Sequence, residues 1–93
     1  MKFPNPQAKK VKKAQPMLVS CGVCKADLIC YQKLGKGGLL RMYLERVVTS
    51  QMPLGDHDLI CPECGNLLGV LIHAKGKDCY KMRRGYYQAR FMK

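Results

Sequence analysis

Two cysteine pairs constrain this chain more than anything else in it: Cys21-Gly22-Val23-Cys24 and Cys61-Pro62-Glu63-Cys64-Gly65. Each puts two thiols two residues apart, so one tight hairpin can turn both sulfurs toward a single metal ion. Two such hairpins complete a tetrahedral four-sulfur site. Residues 25–60 separate the pairs, a gap of 36 positions, so the chain must fold back over a long distance to bring them together.

At 93 residues the chain is one domain. A domain this small buries a modest core and gains much from a staple. Met1 to Pro16 holds no apolar run that could serve as a secretory leader, and no stretch approaches the roughly 18–20 apolar residues of a membrane-spanning helix. The expectation is an intracellular, reducing compartment, where Cys-x-x-Cys spacing favours metal over disulfides.

The segments around the pairs read as strands. Met17-Leu18-Val19-Ser20 leads into the first pair, and Asp27 to Leu34 follows it. Leu59-Ile60 leads into the second pair, and Leu67 to His73 follows. A weak repeat relates the halves: Cys21-x-x-Cys24-x-x-x-Leu28-Ile29 matches Cys61-x-x-Cys64-x-x-x-Leu68-Gly69. Leu39 to Val48 fits either a helix face or strand alternation. A strand pairing back on residues 27–34 across the glycine-rich loop Gly35-Lys36-Gly37-Gly38 is the more economical reading. Cys79 to Arg84 and Tyr86 to Phe91 read as short strands broken at Gly85. The predicted fold is mostly β: a small zinc-ribbon-like domain over residues 17–93, with two knuckle hairpins and a disordered or extended basic tail over residues 1–16.

CPECG at 61–65 resembles the knuckle of zinc ribbons and rubredoxin-like folds, and CGVCK at 21–25 resembles the partner knuckle, with Lys25 where glycine often stands. The gap between them exceeds that of the short ribbon pattern. It calls for an inserted hairpin or for a wider two-sheet arrangement, similar to the Yippee and Mis18 zinc domains. The resemblance implies one structural Zn2+ on Cys21, Cys24, Cys61 and Cys64. Four thiolates also suit iron, but rubredoxins are acidic and Trp-bearing, whereas this chain is basic and has no Trp. Cys30 and Cys79 are left as buried free thiols, and His57 and His73 have no assigned role.

Charge bears on partners. Seventeen Lys and Arg face six Asp and Glu, a formal +11. It is unevenly spread: +5 over residues 1–16, zero over 17–73 and +6 over 74–93. Such an excess calls for a polyanion, RNA or DNA before an anionic membrane. Lys9, Lys10, Lys12 and Lys13 form one basic run, and Lys33 and Lys36 flank the glycine-rich loop. Lys81, Arg83, Arg84, Tyr86, Tyr87 and Arg90 interleave cations for phosphates with aromatics for unpaired bases. Nothing resembles a DNA recognition helix, and no nucleophile–base pair suggests an enzyme. The expectation is a non-catalytic, zinc-stapled RNA-binding protein, like small basic ribosomal zinc proteins, contacting rRNA and neighbouring proteins of a ribonucleoprotein, with cytoplasm and mitochondrial matrix both open. The alternative is a protein-interaction or transcription-associated zinc ribbon that docks a partner through Leu39 to Val48.

Overall fold

Residues 3–5, 8–10, 12–35, 39–74 and 76–92 are described in the computed structural model. Among them nine strands form, in chain order: β1 (Phe3–Pro4), β2 (Gln15–Cys21), β3 (Asp27–Lys33), β4 (Arg41–Tyr43), β5 (Val47–Ser50), β6 (Leu59–Ile60), β7 (Leu67–Ala74), β8 (Lys77–Met82) and β9 (Tyr87–Phe91). One turn of 3-10 helix, Leu44–Arg46, joins β4 to β5. The strands make two antiparallel sheets, β1-β5-β3-β2-β9 and β4-β8-β7-β6. The mostly-β expectation holds, in its wider two-sheet form: the first knuckle links β2 to β3 in the first sheet, and the second links β6 to β7 in the other.

Strand alternation sends every second side chain inward. Val19, Ile29, Tyr31 and Val47 of the first sheet meet Met42, Leu59, Leu68 and Tyr80 of the second in one apolar core. Both core tyrosines give their hydroxyls a partner, as buried phenols require. Tyr31 accepts the Tyr43 N–H at 3.0 Å, tying β3 to β4 across the two sheets, and Tyr80 accepts the Gly55 N–H at 2.9 Å. Burial pushes both phenols above their ordinary pKa.

Leu39 to Val48 departs from the expected single strand. β4 pairs with β8 in the second sheet, while β5 returns to pair with β3 in the first. The physical reason is the spacing of the apolar residues. Leu39, Met42, Leu44 and Val47 are 4%, 0%, 6% and 0% exposed, at intervals of three, two and three positions. A straight strand cannot bury all four on one face; a strand, a 3-10 turn and a second strand can. The stretch is thereby spent on the core and leaves Leu40 and Val48 exposed.

Where it is described, the basic amino-terminal segment includes an extended pair of residues bonded to the body of the domain. Phe3 and Pro4 pair with Ser50 and Thr49, covering the β5 edge. The Asn5 amide donates to the carbonyls of Leu44 and Val47 at 2.7 and 2.8 Å. The Lys9 N–H donates to the Glu45 carbonyl at 2.8 Å, and Gln15 and Pro16 already belong to β2. Lys36, Gly37 and Gly38 lie outside the described residues.

Candidate metal centre

The two knuckles are built alike. In the first, the Cys21 N–H donates to the Ala26 carbonyl at 2.9 Å, and the Lys25 N–H donates to the Cys21 carbonyl at 3.1 Å. In the second, the Cys61 N–H donates to Asn66 at 2.8 Å, and the Gly65 N–H donates to Cys61 at 2.9 Å. Both turns need a left-handed residue after the second cysteine, and Lys25 (φ 67°) and Gly65 (φ 80°) supply it. In each knuckle the first cysteine is buried and the second exposed. The repeat read from the sequence is thus a repeat of backbone hydrogen bonding.

The four sulfurs lie within 4.8 Å of one another. Across the knuckles, Cys21 Sγ is 3.5 Å from Cys64 Sγ, and Cys24 Sγ is 3.6 Å from Cys61 Sγ. A tetrahedron with metal–sulfur bonds of about 2.3 Å has edges of about 3.8 Å, so the spacing suits one ion held by all four. Such a site keeps no open position for water or substrate. His57 and His73 sit elsewhere: His57 contacts the Asp58 carbonyl, and His73 pairs with Asp78 at 2.9 Å.

Backbone and amide donors ready the sulfurs for negative charge. Burial pushes the Cys21 thiol up, but the Cys24 N–H, the Asn66 amide and the Val23 N–H outweigh it and bring the pKa down to about 6. The distances from those donors to Sγ are 3.5, 3.4 and 3.3 Å respectively. For Cys61, burial prevails over the N–H groups of Cys64 and Glu63, and the thiol is pushed up. Cys24 and Cys64 each receive an N–H from two residues on, Ala26 and Asn66. Burial and the neighbouring sulfurs still leave both above the ordinary value. Repulsion among thiolates is what a divalent ion removes.

Sequence reading missed two residues here. Asn66 bridges the halves: its amide donates to Cys21 Sγ and, at 2.8 Å, to the Tyr86 carbonyl. Gly22 lies against the turn between β8 and β9 and donates its N–H to the same carbonyl at 3.0 Å. Neither position carries a spacing signal, because both partners come from residues 20 or more positions away.

Lys25 holds its left-handed backbone without the freedom of glycine and donates its Nζ to the Gly22 carbonyl at 3.0 Å across an exposed surface. Left-handed backbone costs a residue with a Cβ about 1–2 kcal/mol. Lys25→Gly is expected to raise the stability of the metal-loaded protein by about 0.5–1 kcal/mol after the lost Nζ contact is deducted. Denaturant unfolding reads this directly; a destabilised variant would mean that the lysine contact outweighs the strain.

The residues expected to bind RNA lie on several elements, from the amino-terminal segment to β9. Lys10, Lys12, Lys13, Lys81 and Arg84 are exposed. Lys10 and Ala14 line a groove of about 410 Å³ with Cys30, Val48, Thr49 and Met92. Lys9 pairs with Glu45 at 3.5 Å, and Arg90 pairs with Asp27 at 3.7 Å. Lys33 turns its Nζ back to the Leu34 carbonyl. The Arg83 guanidinium donates to the Leu67 carbonyl at 3.1 Å and lies 3.8 Å from the centre of the Tyr86 ring. Tyr87 donates its hydroxyl to the Leu39 carbonyl. Cys79 is buried, and burial pushes its thiol up; Cys30 is half-buried. No family model matches the chain, and searches of curated proteins and of solved structures return no match.

Proposed function

We propose that the protein is a non-catalytic RNA-binding protein stapled by one structural Zn2+, working as a component of a ribosome or another ribonucleoprotein and contacting rRNA and neighbouring proteins there. The observation that carries this reading is the closure of Cys21, Cys24, Cys61 and Cys64 around one position. Four protein donors leave no place for substrate chemistry, so the ion's contribution is folding energy. Soft sulfur donors in a tetrahedral set favour zinc, with iron the competitor. A reducing intracellular compartment is where four such thiols persist.

RNA as partner is supported by charge. With four thiolates and one divalent ion the formal +11 becomes about +9. Among the described residues only Lys9, Lys77 and Arg90 of the Lys and Arg side chains form ion pairs with Asp or Glu. Of the other described cations, Lys10, Lys12, Lys13, Arg41, Lys81 and Arg84 are exposed, available to phosphates. The test is metal analysis of the purified chain followed by RNA binding across salt concentrations. About one zinc per chain is expected, with an affinity that falls steeply as salt rises. Iron in the site, or an affinity indifferent to salt, overturns the reading.

A further inference from the structure

The second sheet carries a feature that strand pairing alone does not explain. Arg41 on β4 lies directly opposite Lys81 on β8, and Val70 on β7 lies on the other side of Lys81. The three make one row across the sheet. Met42 and Tyr80, the neighbours of Arg41 and Lys81, point into the core with no exposure, so this row faces outward. Like charges directly opposite one another in an antiparallel pair destabilise it. Among the described residues neither Arg41 nor Lys81 forms an ion pair; the ion pairs that do form join Glu45 to Lys9 and Lys77, Asp27 to Arg90, and Asp78 to His73. The fold therefore holds two cations side by side with the countercharge left to come from outside.

Beside this row lies an apolar one. Tyr43, Cys79 and Ile72 are cross-strand partners in the next row of that face, where Cys79 is fully covered and Tyr43 and Ile72 are half-buried. Val70 is 38% exposed, and Ile60, turned away from buried Leu59, is 45% exposed. The Tyr43 ring has the Arg46 guanidinium 5.1 Å from its centre. Cations along one line with a ring and aliphatic side chains beside them match a strand of unpaired nucleotides, phosphates on the first and bases on the second. An RNA duplex hides its base edges in a deep, narrow major groove, whereas the unstacked bases of a single strand can lie on such a floor.

Resting on the RNA reading above, we propose that the outer face of the second sheet grips a single-stranded RNA segment, with Arg41 and Lys81 on its phosphates and Tyr43, Val70 and Ile72 as the floor for its bases. Arg84 is also exposed, in the turn that follows β8. The basic run Lys10–Lys13 is secondary to this face.

The test uses the zinc-loaded full chain and a labelled oligouridylate of about 12 nucleotides, a length within the footprint of small single-strand binders. Arg41→Gln with Lys81→Gln relieves the like-charge pair, so the double variant should melt no lower than wild type. Its affinity at physiological salt should fall about tenfold, and its salt slope should shrink by about 1.4, at about 0.7 per phosphate on a single strand. Lys81→Gln alone should give about half the slope change. A double variant that binds as tightly as wild type, with its salt slope intact, overturns this surface and leaves the RNA reading standing. Wild-type protein that binds no RNA overturns both. A duplex bound more tightly than the single strand, or vesicles of phosphatidylglycerol bound in place of RNA, also overturns the proposal.

Discussion

Cys61→Ser is expected to yield a chain that neither retains zinc nor unfolds cooperatively. Cys61 is 1% exposed and packed in the core cluster, so a serine there would bury a hydroxyl as well as withdraw a thiolate. Binding of a structural zinc is worth on the order of 10–16 kcal/mol in zinc-finger peptides. A domain of this length is stable by roughly 5–14 kcal/mol in total. Losing a large share of the first quantity exhausts the second. The check is zinc content after dialysis together with near-ultraviolet circular dichroism through a thermal scan. Cys64→Ser, at the exposed equivalent position, should be the milder of the two. A folded, zinc-loaded Cys61→Ser protein would refute the structural role of the site.

Acid should reach the same end point, because protons compete with zinc for the thiolates. Without metal the thiols oppose one another. Cys21, at about 6 instead of 9.0, stabilises the fold fully above 9.0 and loses that contribution as pH falls through about 6. Cys24, Cys61 and Cys64 are pushed up. Each contributes most below its unfolded value and loses the contribution as pH rises through the folded one. Below pH 9.0 only Cys21 among them still loses stabilisation, and that loss is complete once pH has fallen through about 6, so a steep acid limb below about 6 that chelation removes reports the ion and not the free thiols.

The metal centre was legible in the sequence because its information is local. A Cys-x-x-Cys hairpin carries its own turn and its own donors, and the strands on either side follow from alternation over four to eight residues. What joins the two halves is not local. The division of Leu39 to Val48 between sheets depends on which apolar side chains the second sheet leaves room for, and no window of ten residues contains that fact. The same holds for β9, which follows β8 after a four-residue turn, Arg83 to Tyr86, yet pairs with β2 in the other sheet. Short-range reading takes two strands broken by a glycine for neighbours. Here the turn carries the chain from one sheet to the other and lays the Tyr86 carbonyl on the first knuckle. Charge counts also say nothing of contacts: Arg83, expected to meet RNA, donates to the Leu67 carbonyl and lies over the Tyr86 ring, while Arg41, which the sequence left inside an ambiguous apolar stretch, stands exposed opposite Lys81.

That crossing turn gives Gly22 its importance, and Gly22→Ala is expected to cost roughly 3 kcal/mol, a fall in melting temperature of about 12–24 °C for a domain of this size. The cost is steric. A Cβ at position 22 would lie 2.8 Å from the Tyr86 carbonyl carbon, 2.9 Å from its oxygen and 3.1 Å from the Tyr87 nitrogen. All three are backbone atoms, so no side-chain rotation makes room. To admit the methyl group, the turn must lift off the knuckle, and the hydrogen bonds to Tyr86 from Gly22 and Asn66 lengthen together. Asn66 is also a donor to Cys21, so the displacement should loosen zinc as well as β9. Gly65→Ala provides the contrast. A Cβ there meets nothing within 4 Å but sits on a left-handed backbone, and the expected cost is only about 1–2 kcal/mol. Thermal unfolding of both variants, with zinc release followed by a chromogenic chelator, separates the mechanisms. Gly22→Ala should release zinc faster than Gly65→Ala at equal temperature. If it melts within a few degrees of wild type, the β8–β9 turn yields easily and does not clamp the site.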